Sequence, residues 1–315
     1  MPRTDAPSKI YIEQVDYIRA IASVGVALFH LGGKVLPGLK FGWLGVQMFF
    51  LLSGFIICWS IPNNYDWSMA KTFILKRLTR IEPPFIISLI LLLVVQYVLV
   101  SNYKPDWINV LFHLAYLNSF FNRPYLNPVY WTLGIEFQFY LLIAIIFPLI
   151  NKKFGVLILI AISLTPLFVT IPALGLLNVF PGFAIGICLF LIRSNSLTLK
   201  YSLTLLILTV LTFLVEGPLQ TSATLIAFLI LILPIKSNSI IRFFSKISFS
   251  LYLTHDIIGS TYVVRVGTLL PKTFLWKSFE FSTGLIISIS FAYLFYLMIE
   301  RPFFLLSKKI VYPNK

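Results

Sequence analysis

Two basic side chains, Arg19 and His30, stand eleven positions apart in an otherwise apolar stretch, DYIRAIASVGVALFH. On an α-helix that spacing is about three turns with roughly 20° of angular offset, so both project from one face about 16 Å apart along the axis. Ionisable groups in a membrane-spanning helix are costly and normally face a protein interior or a wet cavity, so the pair marks a channel or an active site. An imidazole suits general-base chemistry near neutral pH, and a guanidinium suits the gripping of phosphate. Other polar groups sit in other apolar runs: Gln47 and Ser53, Glu136 and Gln138, and His255 followed at once by Asp256. A charged start before an apolar run also describes a secretory leader. Against that reading, His30 interrupts the run, no small-residue cleavage site stands out, and the rest of the chain is equally hydrophobic.

The elements that must position these groups follow from composition. Of 315 residues, 58% are hydrophobic and 11% charged, where a soluble domain carries roughly 25% charged residues. The expected fold is an all-α, polytopic membrane protein with about ten transmembrane helices, built as a single domain over residues 1–315. The spans run near 17–36, 42–61, 81–100, 129–149, 154–171, 179–192, 201–215, 219–234, 248–266 and 275–299. A basic segment, 63–80, precedes the third span, and Glu82-Pro83-Pro84 reads as the start of that helix. Within the connection 101–128, residues 108–121 are apolar but short, which suggests an interfacial or re-entrant piece containing His113. Cys58 and Cys188 lie in apolar runs and read as packing residues, and no residues have metal-ligand spacing.

The net charge of +14 is explained by topology. With a cytoplasmic amino terminus, seventeen lysines and arginines fall on inner segments and seven on outer ones, with Arg19 in neither group; this satisfies the positive-inside rule and argues against a nucleic-acid partner. Both termini are then cytoplasmic. In this frame His30, Gln47 and Glu136 fall at similar depth in the outer half of the membrane. A structural alternative makes Gln47 and Glu136 interhelical hydrogen-bond partners.

Six segments, in order, carry a resemblance: residues 15–22 (VDYIRAIA) with His30 beyond, 45–55 (GVQMFFLLSGF), 76–83 (KRLTRIEP), 130–140 (YWTLGIEFQFY), 247–255 (ISFSLYLTH) and 299–302 (IERP). Together they resemble acyltransferase family 3, integral membrane proteins that O-acylate bacterial surface carbohydrates. Gln47 stands where many members have aspartate, and Glu82 where many have tyrosine. The chain resembles the stand-alone members, without the extracytoplasmic hydrolase-like domain of some relatives.

The resemblance implies a multi-pass enzyme of the bacterial inner membrane, acting with membrane lipid around it. It implies acyl transfer, most simply of acetyl, from cytoplasmic acetyl-CoA to a carbohydrate hydroxyl outside, with the acyl-CoA a substrate and no permanently bound cofactor. Such chemistry needs a base, donors for the oxyanion and a grip on the coenzyme A phosphates. His30 is the expected base, with Glu136 as its catalytic partner. Arg77 and Arg80 are the expected phosphate ligands, with Arg19 holding the coenzyme A moiety or pairing with Asp16, and His255 supporting the donor path. Gln47, Ser53 and Trp131 are the expected acceptor contacts. Ser53 also keeps a covalent relay open, although direct attack by the acceptor hydroxyl is simpler. A flippase for a lipid-linked sugar would share the bundle and its buried charges, but it would not explain six ordered motifs and would call for repeated halves with broken helices.

Overall fold

A computed structural model describes residues 11–150, 152, 154–196 and 198–313. Among these residues the chain is all-helical, with no strand, as a backbone that must satisfy its own hydrogen bonds in lipid requires. In order the helices are α1 (Glu13–His30), α2 (Gly45–Ser60), α3 (Ala70–Leu99), α4 (Trp107–Leu114), α5 (Trp131–Ile150), α6 (Gly155–Leu164), α7 (Gly175–Asn195), α8 (Leu199–Glu216), α9 (Pro218–Ile232), α10 (Ser239–Thr254), α11 (Thr261–Gly267), α12 (Phe274–Phe295) and α13 (Arg301–Lys309). A π-helical turn, His255–Ser260, joins α10 to α11, and another, Tyr296–Glu300, joins α12 to α13. Six segments are long and apolar enough to cross a membrane: Gly38–Ser60, Trp67–Leu99, Trp131–Ile150, Gly175–Asn195, Leu199–Glu216 and Phe274–Lys309. Helices α1, α6 and α9 overlie three of the remaining expected spans, and the end of α10, the π-helical turn and α11 together overlie the fourth, 248–266; α6 and α9 are short and α1 carries Glu13, Asp16 and Arg19.

One expectation about elements is corrected. The third span does not begin at Ile81: α3 starts at Ala70 and runs unbroken through Pro83 and Pro84. The prolines remove two amide donors, yet the helix is continuous around them, and apolar surroundings penalise any break that would expose further backbone groups. Arg77 and Arg80 therefore ride on the long helix itself instead of on a separate basic segment. The piece at 108–121, expected as too short to span, is broken up. It is the eight-residue α4 followed by turns in which Tyr116 and Asn122 take positive φ. His113 fastens this connection: its Nδ1 lies 2.8 Å from the Asn109 carbonyl, and its Nε2 accepts from the Leu126 amide at 3.0 Å. Burial lowers its pKa from the ordinary imidazole value, which keeps the ring neutral and able to accept.

Helix α1 packs chiefly on α10, and α2 on α7. At the second crossing small residues let the backbones meet. A Cβ added at Gly54 would come within 2.1 Å of the Phe183 carbonyl oxygen, and one at Gly186 within 2.0 Å of the Leu51 carbonyl oxygen. Phe183 stacks between Phe139 and Phe50, with ring centroids 4.2 and 5.0 Å away. This core ties α5, α2 and α7 into the wall that faces the site.

Candidate active site

Helices α1, α2, α5 and α10 enclose two adjoining cavities, and Val46 and Tyr252 line both. The inner one, about 110 Å³, is lined by Arg19, Ser53, Arg77, Arg80, Glu136 and Tyr140 among others. The outer one, about 220 Å³, is lined by His30, Gln47, Trp131, Tyr252, Phe29 and Trp43 among others. Tyr252 is fixed between them by its hydroxyl, 2.6 Å from Thr132 Oγ1 and 3.2 Å from the Val129 carbonyl.

The inner cavity is a guanidinium cluster. Arg77 donates to the Ser60 hydroxyl and lies over the rings of Phe73 and Tyr140, 5.5 and 5.9 Å from their centroids. Its Nε is buried without a partner among the described residues. Arg80, one turn on, stacks over Phe304 at 5.1 Å, and Arg19 enters from α1. Glu136 accepts from the Tyr140 hydroxyl and lies within electrostatic reach of all three arginines. Of the charged side chains that line the cavity, three are guanidiniums and one is a carboxylate, which suits an anionic ligand. Arg19 does not pair with Asp16, whose carboxylate accepts from Tyr11 and, at 2.6 Å, from Ser245. Glu300 likewise turns to the Ser250 amide and hydroxyl, at 3.1 and 2.6 Å. Lys76 donates to the carbonyls of Ser307 and Ile310 at 3.1 and 2.8 Å, holding α3 on α13 beside the cluster.

The outer cavity belongs to His30. Its Nδ1 stands 3.7 Å from Asp256 Oδ1, and its ring meets the edge of His255 with centroids 5.3 Å apart. The Nδ1 of His255 contacts the Leu251 carbonyl at 2.8 Å, while its Nε2 is buried without a partner among the described residues. The π-helical turn begins at His255. The extra residue in that turn changes where the side chains after Thr254 point, a common device at functional sites.

The expected site residues are thus split between two levels. His30, Gln47 and Trp131 share the outer cavity; Arg19, Ser53, Arg77, Arg80 and Glu136 share the inner one. Glu136 is not at the level of His30, because α1 ends at His30 and not near residue 36. His30 is thereby lifted to the helix end, while Glu136 lies five residues into α5, about 7.5 Å deep. His255, expected beside the donor path, stands against His30. Asp256, Tyr140 and Ser60 carried no role in the sequence reading. For Tyr140 a signal existed, since it sits one turn beyond Glu136. For Ser60 none did.

The sequence model of a family described as an acyltransferase domain matches residues 12–297. The O-acetyltransferase OatA of Staphylococcus aureus, from strains NCTC 8325 and COL alike, is 31% identical over 160 residues, which is 46% of this chain and 26% of OatA. The OatA of strain MRSA252 gives the same figures. The matched stretch therefore covers about a quarter of the length of these curated relatives. No solved structure matches.

Proposed function

This chain belongs to that acyltransferase domain family, and from this membership and the geometry of the two cavities we propose that it is a membrane O-acetyltransferase acting on a carbohydrate hydroxyl. In this reading the inner cavity holds acetyl-CoA with Arg19, Arg77 and Arg80 on its anionic part, and the outer cavity receives the acceptor. The observation that carries it is the adjacency of a guanidinium-lined cavity and a histidine-lined one across the shared Val46 and Tyr252. A thioester delivered along that axis meets the hydroxyl at the junction.

His30 then acts through Nε2, since its Nδ1 faces Asp256. It takes the proton of the acceptor hydroxyl as the oxygen attacks the thioester carbonyl carbon. The tetrahedral intermediate collapses by breaking the carbon–sulfur bond, and the imidazolium returns the proton to the departing thiolate. The products are the ester and free coenzyme A. The Asp256 carboxylate stabilises the imidazolium while it exists. Ser53 lines the inner cavity, away from His30, so direct transfer is favoured over an acyl-serine relay. The bacterial relatives favour a bacterial inner membrane, and the charge distribution favours cytoplasmic termini with donor entry from the inside.

The test uses purified protein in nanodiscs with acetyl-CoA and the de-O-acetylated surface glycan of its own cells. Transfer should be lost in His30→Ala by about 10²- to 10⁴-fold, with acetyl-CoA affinity retained. Arg80→Ala, and to a lesser degree Arg77→Ala, should raise the KM for acetyl-CoA about tenfold. Near-parental transfer by folded His30→Ala protein would overturn the assignment, and a transporter would consume no thioester at all.

A further inference from the structure

In the outer cavity the polar side chains are few, and two of them have atoms left free. Gln47 is 6% exposed, and its Oε1 is buried with no hydrogen-bond partner among the described residues. His30, with its Nδ1 turned to Asp256, keeps Nε2 for the cavity. The Tyr252 hydroxyl is already engaged by Thr132 and the Val129 carbonyl. Around these atoms stand the rings of Phe29, Trp43 and Trp131, and no lysine, arginine, aspartate or glutamate lines the space.

A buried carbonyl oxygen without a donor is rare in folded proteins and calls for a partner. The ligand that fits has an apolar face for the rings and two donors on its edge, one for His30 Nε2 and one for Gln47 Oε1. A pyranose has that pattern: carbon–hydrogen faces that stack on aromatic rings and neighbouring hydroxyls in its plane. The volume suffices for a six-membered ring, since about 220 Å³ exceeds the roughly 150 Å³ of an engineered cavity that admits benzene. Charge narrows the class further. The lining itself carries no cation, and Asp256 stands beside His30; the nearby Lys34 lies exposed over the Phe29 ring, where a solvated ammonium adds little to the binding of a carboxylate, so a sugar carboxylate meets repulsion with little compensation.

We propose that the outer cavity is a subsite for a neutral pyranose, in which Gln47 Oε1 accepts from the hydroxyl next to the one that His30 deprotonates. The subsite rests on the reading of His30 as the base, and it makes Gln47 a specificity-determining residue. The amide selects for a hydroxyl at that position because an analogue without it leaves the buried carbonyl unpaired.

Two measurements test it. In the first, tryptophan fluorescence of the unmodified protein in nanodiscs is titrated with methyl glucopyranoside, its fully O-methylated analogue and methyl glucuronide. The glucoside should quench, the O-methylated compound should not, and the glucuronide should bind about tenfold more weakly. In the second, Gln47→Leu is assayed with the cells' own de-O-acetylated glycan. The acceptor KM should rise about tenfold, while the KM for acetyl-CoA and the melting temperature in detergent stay at the parental values. Equal binding of the glucoside and its O-methylated analogue, or no binding of any probe, overturns the subsite. So does an unchanged acceptor KM in Gln47→Leu while transfer still depends on His30. Transfer that persists in His30→Ala instead removes the underlying reading. Should Gln47→Leu fail to accumulate, the probe series on the unmodified protein decides.

Discussion

At the scale of single residues, the imidazole of His30 is flanked by Asp256 at 3.7 Å and by the edge of His255. A carboxylate at that distance stabilises an imidazolium even where solvent reaches part of the pair. Asp256→Asn keeps the shape and removes the charge. It should lower kcat by about ten- to a hundredfold, leave the KM for acetyl-CoA unchanged, and leave the melting temperature within a few degrees. Steady-state kinetics beside a thermal melt check this; a purely structural role would shift the melt and spare kcat. The sequence displayed Asp256 directly after a motif histidine, but not its function. Whether it reaches His30 depends on a π-helical turn that reorients every side chain after Thr254, and on how α10 lies against α1. Neither is encoded in the local pattern of apolar residues.

At the scale of elements, the site depends on backbones that approach more closely than most residues allow. The Gly54–Phe183 and Gly186–Leu51 contacts seat α2 on α7, and α2 carries Gln47 and Ser53 into the two cavities. Gly186→Val would put methyl groups where the Leu51 carbonyl lies, so the helices must separate. Overpacking of this kind costs about 1–3 kcal/mol or more. The variant should melt several degrees lower in detergent and lose acceptor and donor binding together, as thermal denaturation and calorimetry would show. Gly54 was visible within a motif, whereas Gly186 was one glycine among many in an apolar helix. Helix α3 teaches a related lesson. Two adjacent prolines are tolerated best at the start of a helix, and the sequence pattern places the start of the third helix there. Inside the bundle the helix continues, and this brings Arg77 and Arg80 to the level of Glu136.

At the scale of the whole molecule, exposed apolar ridges record the surroundings. On α3 the exposed side chains Ile86, Ile90 and Val94 recur every four residues, and on α8 Leu199, Leu203, Leu206, Val210 and Phe213 form a similar stripe. Helices apolar on both their buried and exposed faces belong in lipid. In the proposed topology the 101–128 connection lies outside and the turn between α7 and α8 inside. The two cysteines, Cys58 and Cys188, are buried, so the parent gives little background to a membrane-impermeant maleimide. A cysteine introduced at Asn102 should be labelled in intact cells, and one at Ser196 only after lysis. The reverse pattern would invert the topology and place the arginine cavity on the side away from the donor.

The sequence by itself determined the membrane class, the helical architecture and the family, because composition, span-length apolar runs and ordered motifs are properties of the chain taken in one dimension. It also singled out Arg19, His30 and Glu136, since a charge in an apolar run stands out against its neighbours wherever the run folds, and Arg77 and Arg80, which lie in one of the ordered motifs. Their grouping was decided only in three dimensions. Depth along a helix depends on where that helix ends, and a six-residue difference in the end of α1 moved His30 out of the level of Glu136. Partners depend on which helices touch, so His255 and Asp256 came to His30, and Tyr140 and Ser60 to Glu136 and Arg77, through packing between segments far apart in the chain. The division into an arginine cavity and a histidine cavity, with Val46 and Tyr252 between them, follows from that packing alone.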